Sequence, residues 1–354
     1  MRTIQSLFWN PVENRLRAFW RLVLQLLFLL AIGVPFAILF GLFAAAFLSA
    51  TQSITPDQLS DPLFLQQVIS SMPIFVLLSA LVSFFAILGS VWLAGRLLDH
   101  RSLADFGFHI NRSWWIDLAF GLFLGAFLML AIFLVELAAG WVLMTGAFVT
   151  ANSSTPFALA ILGPLFSFIF VGIYEELISR GYQLTNLAEG LNGGSIGPRP
   201  AIILAWIASS LVFGIMHWMN PNASLVSTLN IFLAGIVLLG IGYVLTGELA
   251  IPIGVHITWN FFQGNVFGFP VSGVQFPSAT FIAIRQGGPA LLTGGAFGPE
   301  AGLIGLIAIF FGGLIIALWV RWRRGYVNLH LPIAEPPVQI VALSDMRRRE
   351  LEQG

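Results

Sequence analysis

The stretch Phe166-Ser167-Phe168-Ile169-Phe170-Val171-Gly172-Ile173-Tyr174-Glu175-Glu176-Leu177-Ile178-Ser179-Arg180 sets two adjacent glutamates and an arginine at the end of an apolar run. The chain spends little on charge: 9% of its residues are Asp, Glu, Lys or Arg, against 58% hydrophobic. A mean hydropathy of +0.90 over 354 residues is that of a polytopic helical membrane protein, not of a soluble domain. In that setting an ionisable side chain is costly. It marks a functional site by default, facing the bundle interior or a wet cavity. Two lone histidines share the position: His217 closes Phe213-Gly214-Ile215-Met216-His217, and His256 opens His256-Ile257-Thr258-Trp259-Asn260.

Working outward, apolar runs long enough to span a bilayer number eight, at roughly 22–50, 73–95, 117–145, 156–178, 201–219, 225–246, 249–267 and 301–320. The expected fold is therefore an all-α polytopic membrane bundle of about eight transmembrane helices. The first run starts late and lacks a cleavage pattern, so it reads as a retained span. Every one of the 16 basic residues is Arg, and there is no Cys. Lysine chemistry, disulfides, thiolate metal sites and a cysteine nucleophile are thereby excluded. With the N-terminus inside, fifteen arginines fall in inner segments and only Arg285 in an outer loop. That asymmetry predicts an even number of spans with both termini cytoplasmic, in a multi-pass protein of the plasma membrane.

Residues 1–21 mix arginines with Phe8, Trp9, Phe19 and Trp20, which suits an interfacial segment before the bundle of 22–324. The tail 325–354, with its prolines and an Arg-Arg-Arg run, is expected to be cytoplasmic, mobile and solvated. Residues 51–72 and 146–155 read as polar outer loops. The Gly- and Pro-rich stretch of about 268–300 reads as a connecting loop in preference to a re-entrant plug. There is no internal repeat.

Within the pattern, Glu176 lies four residues before Arg180, the favourable orientation for an ion pair on one helix face. Glu176–Arg180 is accordingly expected to be a structural clamp, which leaves Glu175 without a sequence-local cation and free to act as a general base. Either histidine alone is an ordinary hydrogen-bonded core residue. Phe213 with His217, and His256 with Asn260, are i,i+4 pairs, so the second pair can aim two donors at one point. Such a pair also serves a bound water or a helix–helix hydrogen bond. Glu175 and His217 each lie 21 residues from position 196, in the turn 190–200. In an antiparallel helical hairpin they would be level. A reading by depth alone would put them on the order of 25–30 Å apart. The hairpin reading is preferred, because Ser179–Gly190 continues as an amphipathic helix.

Glu-Glu-x-x-x-Arg, then Phe-x-x-x-His, then His-x-x-x-Asn, in this order, resembles the CAAX-protease and bacteriocin-processing (CPBP or Abi) family of intramembrane proteases. The resemblance covers a core of about 156–267. It implies an endopeptidase in which Glu175 and His217 activate a water and His256 and Asn260 stabilise the tetrahedral intermediate. Glu176, Arg180 and Phe213 would play supporting roles. Family members that process prenylated proteins cut beside a lipidated cysteine, so the partners expected are the lipid bilayer and a membrane-associated peptide or lipidated protein, with no nucleic acid. Members are commonly labelled metalloproteases, and Glu175, His217 and His256 would make a two-His, one-Glu zinc set with an open position. The His-Glu-x-x-His signature is absent, and a metal-independent Glu/His mechanism is the preferred expectation. Two other classes compete: a non-catalytic scaffold or bacteriocin-immunity-type protein, and a transporter. Intact motifs weigh against the first, and the lack of paired broken helices against the second.

Overall fold

The computed structural model describes residues 6–340 apart from 12, 52–54, 154, 194, 195, 338 and 339. Its core is helical: α1 (Ala18–Thr51), α2 (Pro73–Asp99), α3 (Arg112–Ala138), α4 (Phe157–Leu191), α5 (Pro198–Met219), α6 (Leu225–Thr246), α7 (Ala250–Phe261, extended by a π turn, Phe262–Val266) and α8 (Leu303–Arg324). All but α7 are long and apolar enough to cross a membrane, giving seven such helices among the described residues. The run expected at 249–267 is thus a helix, but a short one, and it is the most buried of the set. Ala250 through Ile257 are all buried.

The packing explains how a short helix holds that place. Gly121 of α3 lies against Ile251 and Gly254, and Gly125 against Val255 and Thr258. Small residues at both surfaces let the two backbones approach closely, the usual device where lipid supplies no hydrophobic drive between helices. Farther along, Phe133 stacks on Phe267 with centroids 4.4 Å apart. α7 therefore runs alongside α3, in the same direction, from Gly121 to Phe133.

The expected third span departs from the sequence reading at its end. It stops at Ala138, Gly140 takes a left-handed conformation (φ 72°), and the following residues form a strand. Two strands, β1 (Trp9–Asn10) and β2 (Arg15–Leu16), pair in the N-terminal segment. A longer pair, β3 (Val142–Thr150) and β4 (Ala279–Gln286), runs antiparallel at the far end of the bundle. The stretch 268–300 is consequently not a plain connection, since it supplies β4 and several short helical turns. Residues rich in Val, Ile, Thr and Phe favour this pairing once the helix has been interrupted.

One end of the bundle is tied by buried ion pairs. Glu189, near the end of α4, receives Arg15, Arg21 at 2.6 Å and Arg101 at 2.9 Å, while Arg21 also holds Asp99 at 2.8 Å. Arg101 further donates to the Glu335 carbonyl at 2.6 Å. Asn192 donates to the Ala334 carbonyl at 2.8 Å, and Ile333 and Ala334 are buried. Residues 330–335 thus fold onto the bundle instead of trailing into solvent as expected. Positions 341–354, including the Arg-Arg-Arg run, lie outside the described residues. Arg15 and Glu335 thus meet the same cluster at one end of the bundle.

Candidate active site

α4 is 35 residues long, about 50 Å at 1.5 Å per residue. Glu175 therefore sits near its middle, because the helix continues past Ser179 as the hairpin reading expects. The α-helical part closes at Glu176, and Leu177–Leu184 follow in π geometry. π turns inside α-helices are rare and frequently occur at functional sites. α6, packed against it, carries another π stretch over Gly235–Gly240.

Arg180 projects from the π segment and is fully enclosed. Its Nη1 donates to Glu176 Oε1 at 3.0 Å, its Nη2 to the Gly235 carbonyl at 3.3 Å, and its guanidinium stands 4.4 Å from the centre of the Phe213 ring. A side chain at Gly235 would press on Arg180 Nη2 and Ser210, so the glycine makes room for the cation. The expected Glu176–Arg180 clamp is present, and it does more than clamp. Glu176 Oε1 also lies 2.7 Å from His256 Nδ1. Glu175 approaches the other ring nitrogen, with Oε2 3.8 Å from His256 Nε2, from a side chain that is 26% exposed.

His217 opens the last turn of α5, where the helix tightens into a 3-10 turn, His217–Met219. Its Nδ1 lies 2.8 Å from the Phe213 carbonyl. A carbonyl can only accept, so Nδ1 carries the proton and Nε2 of the neutral ring presents a lone pair. Phe213 links the two histidines, with centroids 4.7 Å from the His217 ring and 6.3 Å, edge-on, from the His256 ring. Phe213, His217, His256 and Asn260 line one cavity, with Ser272 and Glu300 in its wall.

His256 is held by its own Nδ1 partner in the same way. The Glu176 carboxylate accepts from Nδ1–H, so Nε2 donates into the cavity only when the ring carries both protons. Asn260, one turn on, supplies an amide group to the same space. The cavity thus gathers an acceptor imidazole nitrogen and two candidate donors, while Glu175 is not among its lining residues and approaches it through His256 Nε2; together these are the parts that water activation and oxyanion stabilisation require. The donor types of Glu175, His217 and His256 would suit zinc. Their spacing does not: among the described residues no group of three or more His, Asp or Glu side chains is gathered to hold a metal ion.

Three contributors escaped the sequence reading. The Glu176–His256 bond joins residues 80 positions apart, and no local pattern announces it. Gly235 gave no signal beyond being a glycine in an apolar run. Glu300 did give one, for it is the only acidic residue between positions 249 and 320.

Residues 156–262 match a protein-family model described as Type II CAAX prenyl endopeptidase Rce1-like. The matched segment contains all three motifs and all four of Glu175, His217, His256 and Asn260. No curated protein and no solved structure matches the chain.

Proposed function

We propose that this protein is an intramembrane endopeptidase that hydrolyses a peptide bond of a membrane-associated or lipidated protein. The observation that carries the reading is the shared cavity of His217, His256 and Asn260, with both glutamates of α4 reaching His256, inside the segment matched by the Rce1-like family. A water held between Glu175 and His217 Nε2 loses a proton to this pair as its oxygen attacks the scissile carbonyl carbon. The carbonyl oxygen becomes an oxyanion, met by Asn260 and by His256 Nε2–H. Collapse of the tetrahedral intermediate breaks the C–N bond, and the abstracted proton passes to the leaving amine. Glu176 and Arg180 hold His256 in place, and every step uses side chains of this chain. The arginine distribution orients the bundle with both termini in the cytoplasm, in the plasma membrane, so that substrate reaches the cavity from the bilayer or the cytoplasmic side.

Purified full-length protein, reconstituted and offered prenylated and unprenylated membrane peptides, tests the reading against a Glu175→Gln control. Cleavage by the parent and not by the variant, at matched folded fraction, is expected. Equal activity of the two would overturn it.

A further inference from the structure

A carboxyl group outside the three motifs, that of Glu300, lines the same cavity. Glu300 belongs to a short 3-10 turn, Pro299–Ala301, just before α8, and is 3% exposed. Its Oε1 accepts from Ser272 N at 2.5 Å and Ser272 Oγ at 3.1 Å, and its Oε2 accepts from Gln263 Nε2. No cation pairs with it among the described residues. Burial pushes the group up to about 7, so the neutral form persists to near neutral pH.

The partners of Glu300 lead to both halves of the site. Gln263 lies three residues beyond Asn260 on α7 and its π extension. Ser272, held at φ 48°, hands the connection to the other half. Its carbonyl accepts from Asn220 Nδ2 at 2.9 Å, and the Gly273 carbonyl accepts from Asn222 Nδ2 at 3.3 Å. Asn220 and Asn222 follow directly on the turn that carries His217. The junction is tight, because Gly273 has φ 85° and a Cβ there would run into the Pro221 carbonyl. A chain of hydrogen bonds therefore runs from Asn260's helix through Gln263, Glu300 and Ser272 to the end of the His217 helix.

We propose that Glu300 is a positioning residue for the peptidase site, setting the distance between His217 and the His256–Asn260 pair through Ser272 and Gln263. This rests on the function proposed above, and the test separates the two. Misplacement of a reacting group by an ångström can lower turnover on the order of 10²-fold. Glu300→Ala should therefore lower kcat by roughly that factor with little change in KM. Glu300→Gln should recover most of it. Its carbonyl oxygen still accepts from Ser272, and Gln263 can turn its amide to offer the new NH2 its own Oε1, which is buried without a partner.

The absence of cysteine in the chain permits a readout independent of activity. Spin labels on Met219→Cys and Leu291→Cys, both at exposed positions, report the spacing across the junction in reconstituted protein. A single narrow distance is expected in the parent and in Glu300→Gln, and a broadened or shifted one in Glu300→Ala. An unchanged distance in Glu300→Ala, or a fall in kcat that Glu300→Gln shares in full, would overturn the proposal. Should Glu300→Ala fail to fold, Asn220→Ala cuts the same chain at its rim and must broaden the same distance, or the proposal fails. A parent without peptidase activity would overturn the function proposed above, and the distances would still decide the role of Glu300.

Discussion

His256 is held by two glutamates with unequal grips: Glu176 Oε1 lies 2.7 Å from Nδ1, whereas Glu175 Oε2 lies 3.8 Å from Nε2. Adjacent residues on a helix point about 100° apart, and here that divergence places one carboxylate on each side of a single ring. Glu176 is committed to Arg180 and His256, while Glu175, partly exposed, remains available to a reactant.

Removing the base without changing its shape should separate chemistry from folding. Glu175→Gln is expected to keep the folded yield and to lose activity by several orders of magnitude. Asn260→Ala, which deletes one oxyanion donor, should retain a residual rate about 10²–10³-fold below the parent. Single-turnover rates on purified, folded-fraction-matched protein measure both, and a Glu175→Gln rate equal to the parent's would refute the assignment of the base.

Arg180→Ala should act on stability first. Arg180 and Glu176 are both buried, at 1% and 0% side-chain exposure, and stripping one partner from a buried pair typically costs about 3–5 kcal/mol. A sharply reduced monodisperse yield is the expected outcome, measured by size-exclusion profile and thermal unfolding in detergent. Normal yield with lost activity would instead give Arg180 a chemical role.

Chelation tests the metal alternative. The spacing of Glu175, His217 and His256 leads to the expectation that 1,10-phenanthroline and EDTA leave the peptidase rate unchanged and that elemental analysis finds no stoichiometric zinc. Loss of activity restored by added zinc would show that the three donors close around an ion.

Glu300 should leave a signature in the pH dependence of stability. Its folded value, about 7, lies above the ordinary 4.5, so in this range the folded state binds the proton that the unfolded chain has released. Its stabilising share is therefore fully present below about 4.5 and is lost as pH rises through about 7. Thermal unfolding between pH 4.5 and 8 should decline more steeply for the parent than for Glu300→Gln. His217 and His256 face the same cavity and are common to both proteins, so the difference between the curves isolates Glu300. Parallel curves would contradict this.

Reporter fusions at residues 60, 150 and 280 should all report the outer side. A cytoplasmic signal at two of the three would defeat the orientation drawn from the arginines.

Much of this architecture was legible because membrane helices announce themselves by length and apolarity, and because charge is scarce enough for each ionisable residue to stand out. The hairpin register can be counted from the turn near position 196: Arg180, 16 residues before it, meets Phe213, 17 residues after it. What stayed hidden depends on long-range pairing. The strand Val142–Thr150 reads as the end of an apolar helix up to 145 and as a polar loop from 146, until Ala279–Gln286, far along the chain, offers it a partner. The π stretch after Glu176 has no local spelling. Ser272 and Glu300 enter the cavity wall only because Gly273 and its neighbours turn the chain back against Pro221. The tail from Arg324 reads as solvated by its prolines and arginines, yet backbone carbonyls at Ala334 and Glu335 dock it to Asn192 and Arg101.

The knot around Glu189 also bears on how the protein is made. Arg15 leaves the ribosome first among its members, Arg101 and Glu189 follow, and the segment that reaches Arg101 through the Glu335 carbonyl emerges after all of them. Until that moment this end of the bundle can gather its charges but lacks its final strap. Released chains truncated before residue 330 should thus be inserted yet remain open to protease at the 99–105 turn, whereas chains that include residues 330–340 should be protected there.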